Sequence, residues 1–393
     1  MNSRILSKEI QGFIEAHLQS NTSELALKQS EFFDVSIAEI IEQIESKKRC
    51  EHKLPSWFHT SNIYYPNKLN IEQTSSELTA NYKANLVVGK TIVDITGGFG
   101  VDAFAFAKHF DTVIHCELNE SLHEIASHNF EVLKIKNIKT LCGDGMELLA
   151  SLDQKFDCIY IDPSRRNEHK GKVFMLSDCL PNVPEYLETL FNYSKNILIK
   201  TAPLLDISMG LSELTFVKRL YIVAVNNEVK ELLWHLEFSW QRPLKIETIN
   251  IKSYTTETFS FILEDEQYID VSLSEPLTYL YEPNAAIMKS GAFKTIAKAF
   301  NVKKLHQHSH LYTSNDLIDF PGRVFQVSQS LGFSKKNLRS LNITKANIAT
   351  RNFPMSVQAL RTNFRLLDGG EVYIFFTTIN SNQKWIIVCE KVS

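Results

Sequence analysis

The stretch IVDITGGFGVD, residues 92–102, joins an apolar run to three glycines and then to an apolar–acidic pair. Ile92, Val93 and Ile95 read as a buried strand, and Gly97, Gly98 and Gly100 as a turn that lets backbone approach a ligand closely. A helix opening after the turn offers its N-terminal amides to the same ligand. Many doubly wound folds carry such a turn, so its meaning rests on its surroundings.

Around it, short apolar strands alternate with helical segments. Strands are expected at 91–95, 112–117, 138–142, 158–162, 196–200 and 219–225, with a seventh near 231–238. This alternation implies a mainly parallel, Rossmann-like sheet with helices on both faces. Only NNEVK separates the last two strands, too little for a parallel crossover, so the seventh runs antiparallel. Upstream, Ile10, Phe13, Ile14 and Leu18 recur at helical spacing, as do Ile37, Ile40, Ile41 and Ile44. Ser36 with Glu39 forms a capping box, and Thr74 with Glu77 a second one opening a helix across residues 75–88.

After Arg242-Pro243 the period becomes two, and IETINIKS and TFSFILED suggest a hairpin. Residues 282–300 look helical, with Ile287, Phe293, Ile296 and Phe300 on one face. Beyond Pro321 the expectation is helix, strand, helix (356–364, capped by Ser356) and a hairpin of EVYIFFTTI and KWIIVCEK, a small α+β module. The expected domains are an N-terminal helical region (1–72), the α/β domain (73–245), a hairpin with a further segment (246–320) and the C-terminal module (321–393).

Composition narrows the class. The chain has 393 residues, 44% hydrophobic and 22% charged, the balance of an ordinary soluble protein of two or three domains. No apolar run is long enough to span a bilayer, and MNSRILSKEI lacks a signal-peptide core. The six cysteines form no CxxC pair and read as reduced thiols, so a cytoplasmic location is expected. From Pro321 to Ser393 ten Lys or Arg face three acids, a net +7 in a chain whose total is −3, which leaves −10 for residues 1–320. The C-terminal segment therefore suits a polyanion, or is simply a solvated basic face.

Chemistry gathers at the strand ends. The second strand ends in Glu117, twenty residues beyond Gly97, where an acid accepts from both hydroxyls of a ribose. The third ends in Gly-Asp-Gly, which puts Asp144 where an adenine amino group would lie. The fourth ends in YIDPSRRNEHKGK, residues 160–172, with Asp162-Pro163 followed by Arg165, Arg166, Lys170 and Lys172. Each alone reads as a helix cap or turn; together they place polar groups along the edge where open α/β sheets bind ligands. A dinucleotide needs a G-x-G-x-x-G cradle, and GGFGVD is a poor match, so S-adenosylmethionine fits better.

At these residues the chain resembles the class I methyltransferases. LNIEQTSSELTANYKANL, DITGGFGVD, ELNESLHEIASHNF, YIDPSRR and RNFPMSVQALRTNFRLLDGGEVYIFFTT together resemble a bacterial group that joins a methyltransferase domain to a ferredoxin-like segment and a C-terminal THUMP-like domain. The resemblance implies a seven-stranded sheet and S-adenosylmethionine as cofactor. It implies that Asp94, Gly97, Gly98 and Gly100 line the methionine part, with Asp102 beside them, Glu117 the ribose and Asp144 the adenine. Residues 73–83 would cover the cofactor or the substrate entrance, or be a capped helix over the sheet.

Asp162 would stand beside the transferable methyl. Enzymes resembling this fold that methylate a base amino group carry Asp/Asn-Pro-Pro-aromatic here; this chain has Ser164 and Arg165 in the last two places. Arginines suit phosphate, so Asp162, Pro163 and Arg165 form the expected catalytic set. Arg166, Lys200 and Asp206 are the expected substrate contacts. Cys179 lacks a motif that would make it a nucleophile. His306, His308 and His310 would share one strand face, able to hold a metal but more often a polar face; no metal is expected.

Three functions follow. The first is an RNA methyltransferase acting on tRNA or rRNA, with no DNA or membrane partner. The second is a non-catalytic RNA-binding protein that retains the pocket, and the third a methyltransferase for a protein or small metabolite.

Overall fold

The computed structural model describes residues 1–27, 30, 32, 34–165 and 175–392, with nothing said of the side chain of Arg165. The chain divides into two units, residues 1–217 with 234–240, and residues 218–233 with 241–393.

In chain order the strands of the larger sheet are β1 (Thr91–Asp94), β2 (Thr112–Glu117), β3 (Ile138–Cys142), β4 (Cys158–Ile161), β5 (Asn196–Thr201), β6 (Val217–Val225), β7 (Glu228–Glu237), β8 (Lys245–Ile251) and β9 (Thr256–Ile262). Within the first unit the order is β5-β4-β1-β2-β3, and within the second β9-β8-β6. In the first unit β1 pairs in parallel with β2 and β4, β2 with β3, and β4 with β5. Every residue of β4 is buried, as the continuous run Cys158–Ile161 requires when helices cover both faces.

The seven expected strands are present, and the order reverses direction at β1 beside β4. That is where crossovers part and leave a crevice at the carboxyl edge. Asn226 and Asn227, both with positive φ (49° and 64°), make the whole connection between the neighbours β6 and β7. A two-residue link of this kind is a hairpin, so β7 runs antiparallel. The expected hairpin 245–262 forms as well, antiparallel within itself, and β8 pairs in parallel with β6 along its whole length. Within the second unit it thus covers an edge of β6 that would otherwise stay open.

Helices α1 (Ile37–Lys53), α2 (Glu77–Ala84), α3 (Val101–Phe106), α4 (Glu120–Val132) and α5 (Gly145–Leu152) belong to the first unit. The Ser36/Glu39 box caps α1 from both sides. The second box is corrected: Ser76, not Thr74, caps α2, because Thr74 terminates the preceding helix Lys68–Gln73. The Glu77 carboxylate instead accepts from the Ser56 amide at 3.0 Å and from its hydroxyl.

The second unit holds a seven-stranded sheet. Its strands are β10 (Tyr279–Pro283), β11 (Lys303–Lys304), β12 (Tyr312–Ser314), β13 (Gly322–Gly332), β14 (Asn347–Arg351), β15 (Val372–Thr378) and β16 (Lys384–Lys391), ordered β11-β12-β10-β13-β16-β15-β14. One face packs Leu280, Leu305 and Leu311 against Phe325, Phe375 and Ile387. The other is covered by α6 (Lys335–Ser340) and α7 (Val357–Phe364), whose Leu338 and Leu360 meet Ile374, Phe376 and Ile386.

Two expectations change here. The module opens with the eleven-residue strand β13 rather than a helix; a register shift between Val327 and Gln329 breaks its alternation and hides the period. The segment 282–300 is two short helices, Ala285–Ser290 and Thr295–Ala299, parted at Gly291 with φ 78°.

Candidate functional site

β1, β2, β3 and β4 run parallel, so their carboxyl ends open on one edge. At the end of β1 the Asp94 carboxyl is 1% exposed and accepts from the Thr96 amide (3.0 Å) and hydroxyl (3.3 Å). Burial pushes its pKa well above the ordinary carboxylate range. The hydrogen bonds from Thr96 oppose this, and the charges of Asp102 and Asp162 add to it.

The glycines serve different ends. A Cβ on Gly97 would stand 2.3 Å from the His115 ring, and one on Gly100 2.4 Å from Phe130. Both are glycine because β2 and α4 fill the space behind the turn. His115 is fully buried, which pushes its pKa down to about 4. Gly98, with φ 57°, faces the other way; a Cβ there would meet nothing nearer than Thr96 O at 3.9 Å. Its amide donates to Glu117 Oε2 at 2.7 Å, while Glu117 Oε1 accepts from the Asn119 amide at 2.7 Å. Glu117 thus ties the end of β2 to the glycine turn and is itself half-buried.

Asp144 caps α5, accepting from the amides of Met146 (2.8 Å) and Glu147 (3.2 Å), and its side chain is exposed. Asp206 caps the helix Ile207–Glu213 through the amides of Ser208 and Met209. Asp102 faces inward from α3. Its Oδ2 accepts from Ser75 Oγ and Tyr160 Oη, both at 2.9 Å, and its Oδ1 lies 3.2 Å from the ammonium of Lys83, which is 0% exposed. Burial alone would raise the Asp102 carboxyl, but Lys83, Lys200 and these hydroxyls outweigh it and hold the pKa low.

At the end of β4, Asp162 forms an ion pair with Lys200 of β5, and its amide donates to Thr96 Oγ1 at 2.7 Å. Pro163 is buried. Ser164–Arg165 forms a two-residue ribbon with Cys179–Leu180, and Cys179 is buried. The expectations for the Arg165 side chain, Arg166, Lys170 and Lys172 lie outside what the structure describes. Asp94, Asp102, Asp162 and Lys200 thus lie within electrostatic reach of one another, and Glu117 joins their edge through Gly98. Asp144 and Asp206 stand as helix caps.

Sequence reasoning missed three features. Thr96 and Tyr160 lie inside quoted motifs but were given no role. Leu118, between Glu117 and Asn119, is 70% exposed; a lone aliphatic residue at a strand end was the only signal for it. In the second unit the histidines lie in a turn rather than on a strand. His306 bonds Asn382 (2.9 Å) and Asn352 (3.1 Å), and the His310 ring stacks on Phe293 at 3.6 Å.

Residues 89–197 match a family described as RNA cap guanine-N2 methyltransferase. Residues 279–321 match a ferredoxin-like domain and 322–391 a THUMP domain-like family. A candidate methyltransferase from Porphyromonas gingivalis W83 is 32% identical, covering 100% of this chain and 99% of that one, and its crystal structure superposes with a TM-score of 0.90. The chain belongs to this methyltransferase family. In this chain the THUMP-like match follows the methyltransferase match, and Asp94 and Glu117 are the last residues of β1 and β2 within the latter.

Two more distant solved structures are an rRNA methylase from Streptococcus thermophilus and TrmK from M. capricolum with S-adenosylhomocysteine. The first is 14% identical over 41% of this chain and 93% of that one, with a TM-score of 0.29. The second is 14% identical over 45% and 70%, with a TM-score of 0.32. No curated protein matches the methyltransferase. Among its described residues no helix is long and apolar enough to cross a membrane.

Proposed function

We propose that the chain transfers a methyl group from S-adenosylmethionine to RNA, tRNA or rRNA, with Asp162 at the acceptor. The observation that carries the donor reading is Glu117, a half-buried carboxylate fixed by two amides at the carboxyl edge beside the open face of Gly98. Each of its oxygens has a second lone pair, which suits the two hydroxyls of a ribose. Leu118 offers an exposed aliphatic surface to a flat ring, and Asp144 an acceptor for an exocyclic amine. Asp94 and Gly98 would line the methionine part. Bound there, S-adenosylmethionine supplies an activated methyl, so the chain's task is alignment of the acceptor.

Asp162, paired with Lys200, orients the acceptor group or takes its proton. Asp102, with both oxygens turned to internal partners, is better read as a structural tie than as a cofactor contact.

The RNA reading rests on charge in the second unit. Arg323 and Arg351 both pair with Glu282, and Arg361 with Asp368, so these spend their charge internally. Lys335, Lys336, Arg339, Lys345 and Arg365 remain exposed, three of them on α6. A face of this kind suits a phosphate backbone, and binding through it weakens steeply with salt.

The test is transfer of labelled methyl from S-adenosylmethionine into RNA, protein and small-molecule fractions of cells lacking the gene. Label in RNA that Asp162→Ala abolishes is the expected result. Label confined to protein or metabolites would overturn the substrate. No label despite donor binding would favour a binding protein instead.

A further inference from the structure

The turn after β1 and the turn after β4 have separate tasks in the function proposed above, one holding the methyl donor and the other facing the acceptor. A single side chain joins them. Thr96 Oγ1 accepts the Asp162 amide at 2.7 Å and donates to Asp94 Oδ1 at 3.3 Å. The Thr96 amide donates to the same Asp94 oxygen at 3.0 Å. Two residues on, the Gly98 amide is bound by Glu117. Two sets of hydrogen bonds, joined by the backbone of residues 96–98, therefore link Glu117 through the glycine turn to the backbone of Asp162. On the far side of Asp162, Lys200 holds the carboxylate.

The Thr96 hydroxyl is the side-chain group through which this path reaches Asp162. Without it the Asp162 amide loses that acceptor, and among the described residues the ion pair with Lys200 is the side-chain tie that remains to Asp162.

We propose that Thr96 is a positioning residue that couples donor binding to the ordering of Asp162. This rests on the reading that the glycine turn holds S-adenosylmethionine. It predicts that losing the hydroxyl separates two events that otherwise occur together, donor binding and the ordering of Asp162.

The test uses the full chain as wild type, Thr96→Val and Thr96→Ser. S-adenosylhomocysteine affinity is measured by calorimetry, and amide exchange of peptides spanning 158–165 with and without it. In wild type and Thr96→Ser, S-adenosylhomocysteine should slow exchange at Asp162 by about tenfold, the worth of one buried hydrogen bond. Thr96→Val should bind with an affinity within about threefold of wild type yet show no such slowing.

An unaltered response in Thr96→Val overturns the coupling. So does a Thr96→Val chain that loses affinity and response together, since the hydroxyl would then serve only the donor turn. A folded wild-type chain that fails to bind S-adenosylhomocysteine removes the donor reading, and this proposal with it.

Discussion

At Asp94 the chain buries one carboxyl within reach of two others, Asp102 and Asp162, and supplies two lysines, Lys83 and Lys200. Lys83 pairs with Asp102 and Lys200 with Asp162, while Asp94 has no lysine partner among the described residues, and its burial raises its pKa. Because the folded pKa of Asp94 lies above its unfolded value, its contribution to stability is full below the unfolded value and is lost as pH rises through the folded one. Asn in its place keeps an acceptor for Thr96 and has nothing to ionise. Asp94→Asn should therefore be more stable than wild type at pH 8 and differ little at pH 4, in urea unfolding at the two values. A wild-type advantage at pH 8 would mean that Asp94 is ionised in the fold.

Asp102 has the opposite sign. Its folded pKa is low, so its stabilisation is present above the ordinary carboxylate value and lost as pH falls through the folded one. Lys83→Met strands that carboxylate at 0% exposure of its partner's site and should cost about 3–5 kcal/mol at pH 7. Adding Asp102→Asn should recover part of the loss, which a double-mutant cycle would read.

Helix α5 shows how an element is held where the site needs it. A Cβ on Gly145 would lie 2.1 Å from the backbone oxygen of Ile95, so the first turn of α5 touches the chain just after β1 with no room for a side chain. Backbone against backbone cannot yield as a rotamer can. Gly145→Ala should cost about 1–3 kcal/mol in unfolding and weaken S-adenosylhomocysteine binding as the β1 turn is displaced. Unchanged binding in a folded variant would place the donor away from that turn.

The elements of the sheet were legible because parallel strands buried on both faces leave continuous apolar runs, as Ile159–Tyr160–Ile161 does. Strand β13 was not, because its Gln326, Ser328 and Gln329 carry the polar side of a bulged strand and leave no clean period. The acidic strand ends were legible by position. Their partners were not: Lys83 and Tyr160 reach Asp102 from remote parts of the chain, and no spacing rule connects them.

At the scale of the whole molecule, similarity divides the C-terminal region between a ferredoxin-like stretch, 279–321, and a THUMP-like stretch, 322–391. Packing draws no line there. β13 begins at Gly322, immediately after that division, and lies between β10 on one side and β16 on the other. Leu280, Leu305 and Leu311, from the first stretch, share a core with Phe325, Phe375 and Ile387 of the second. Glu282 is 3% exposed beneath Arg323 and Arg351, one carboxylate from the first stretch serving two guanidinium groups of the second.

Removing residues 1–321 would strip three buried leucines from that core, at roughly 1.5–3 kcal/mol each. It would also leave a long strand with an open edge. Against a total stability of about 5–15 kcal/mol for a domain, that loss is decisive. Residues 322–393 alone should therefore show no cooperative thermal transition by circular dichroism and poor amide dispersion by NMR. A fragment that melts cooperatively would show that β13 does not need β10, and that the basic face on α6 can be studied apart from the ferredoxin-like stretch.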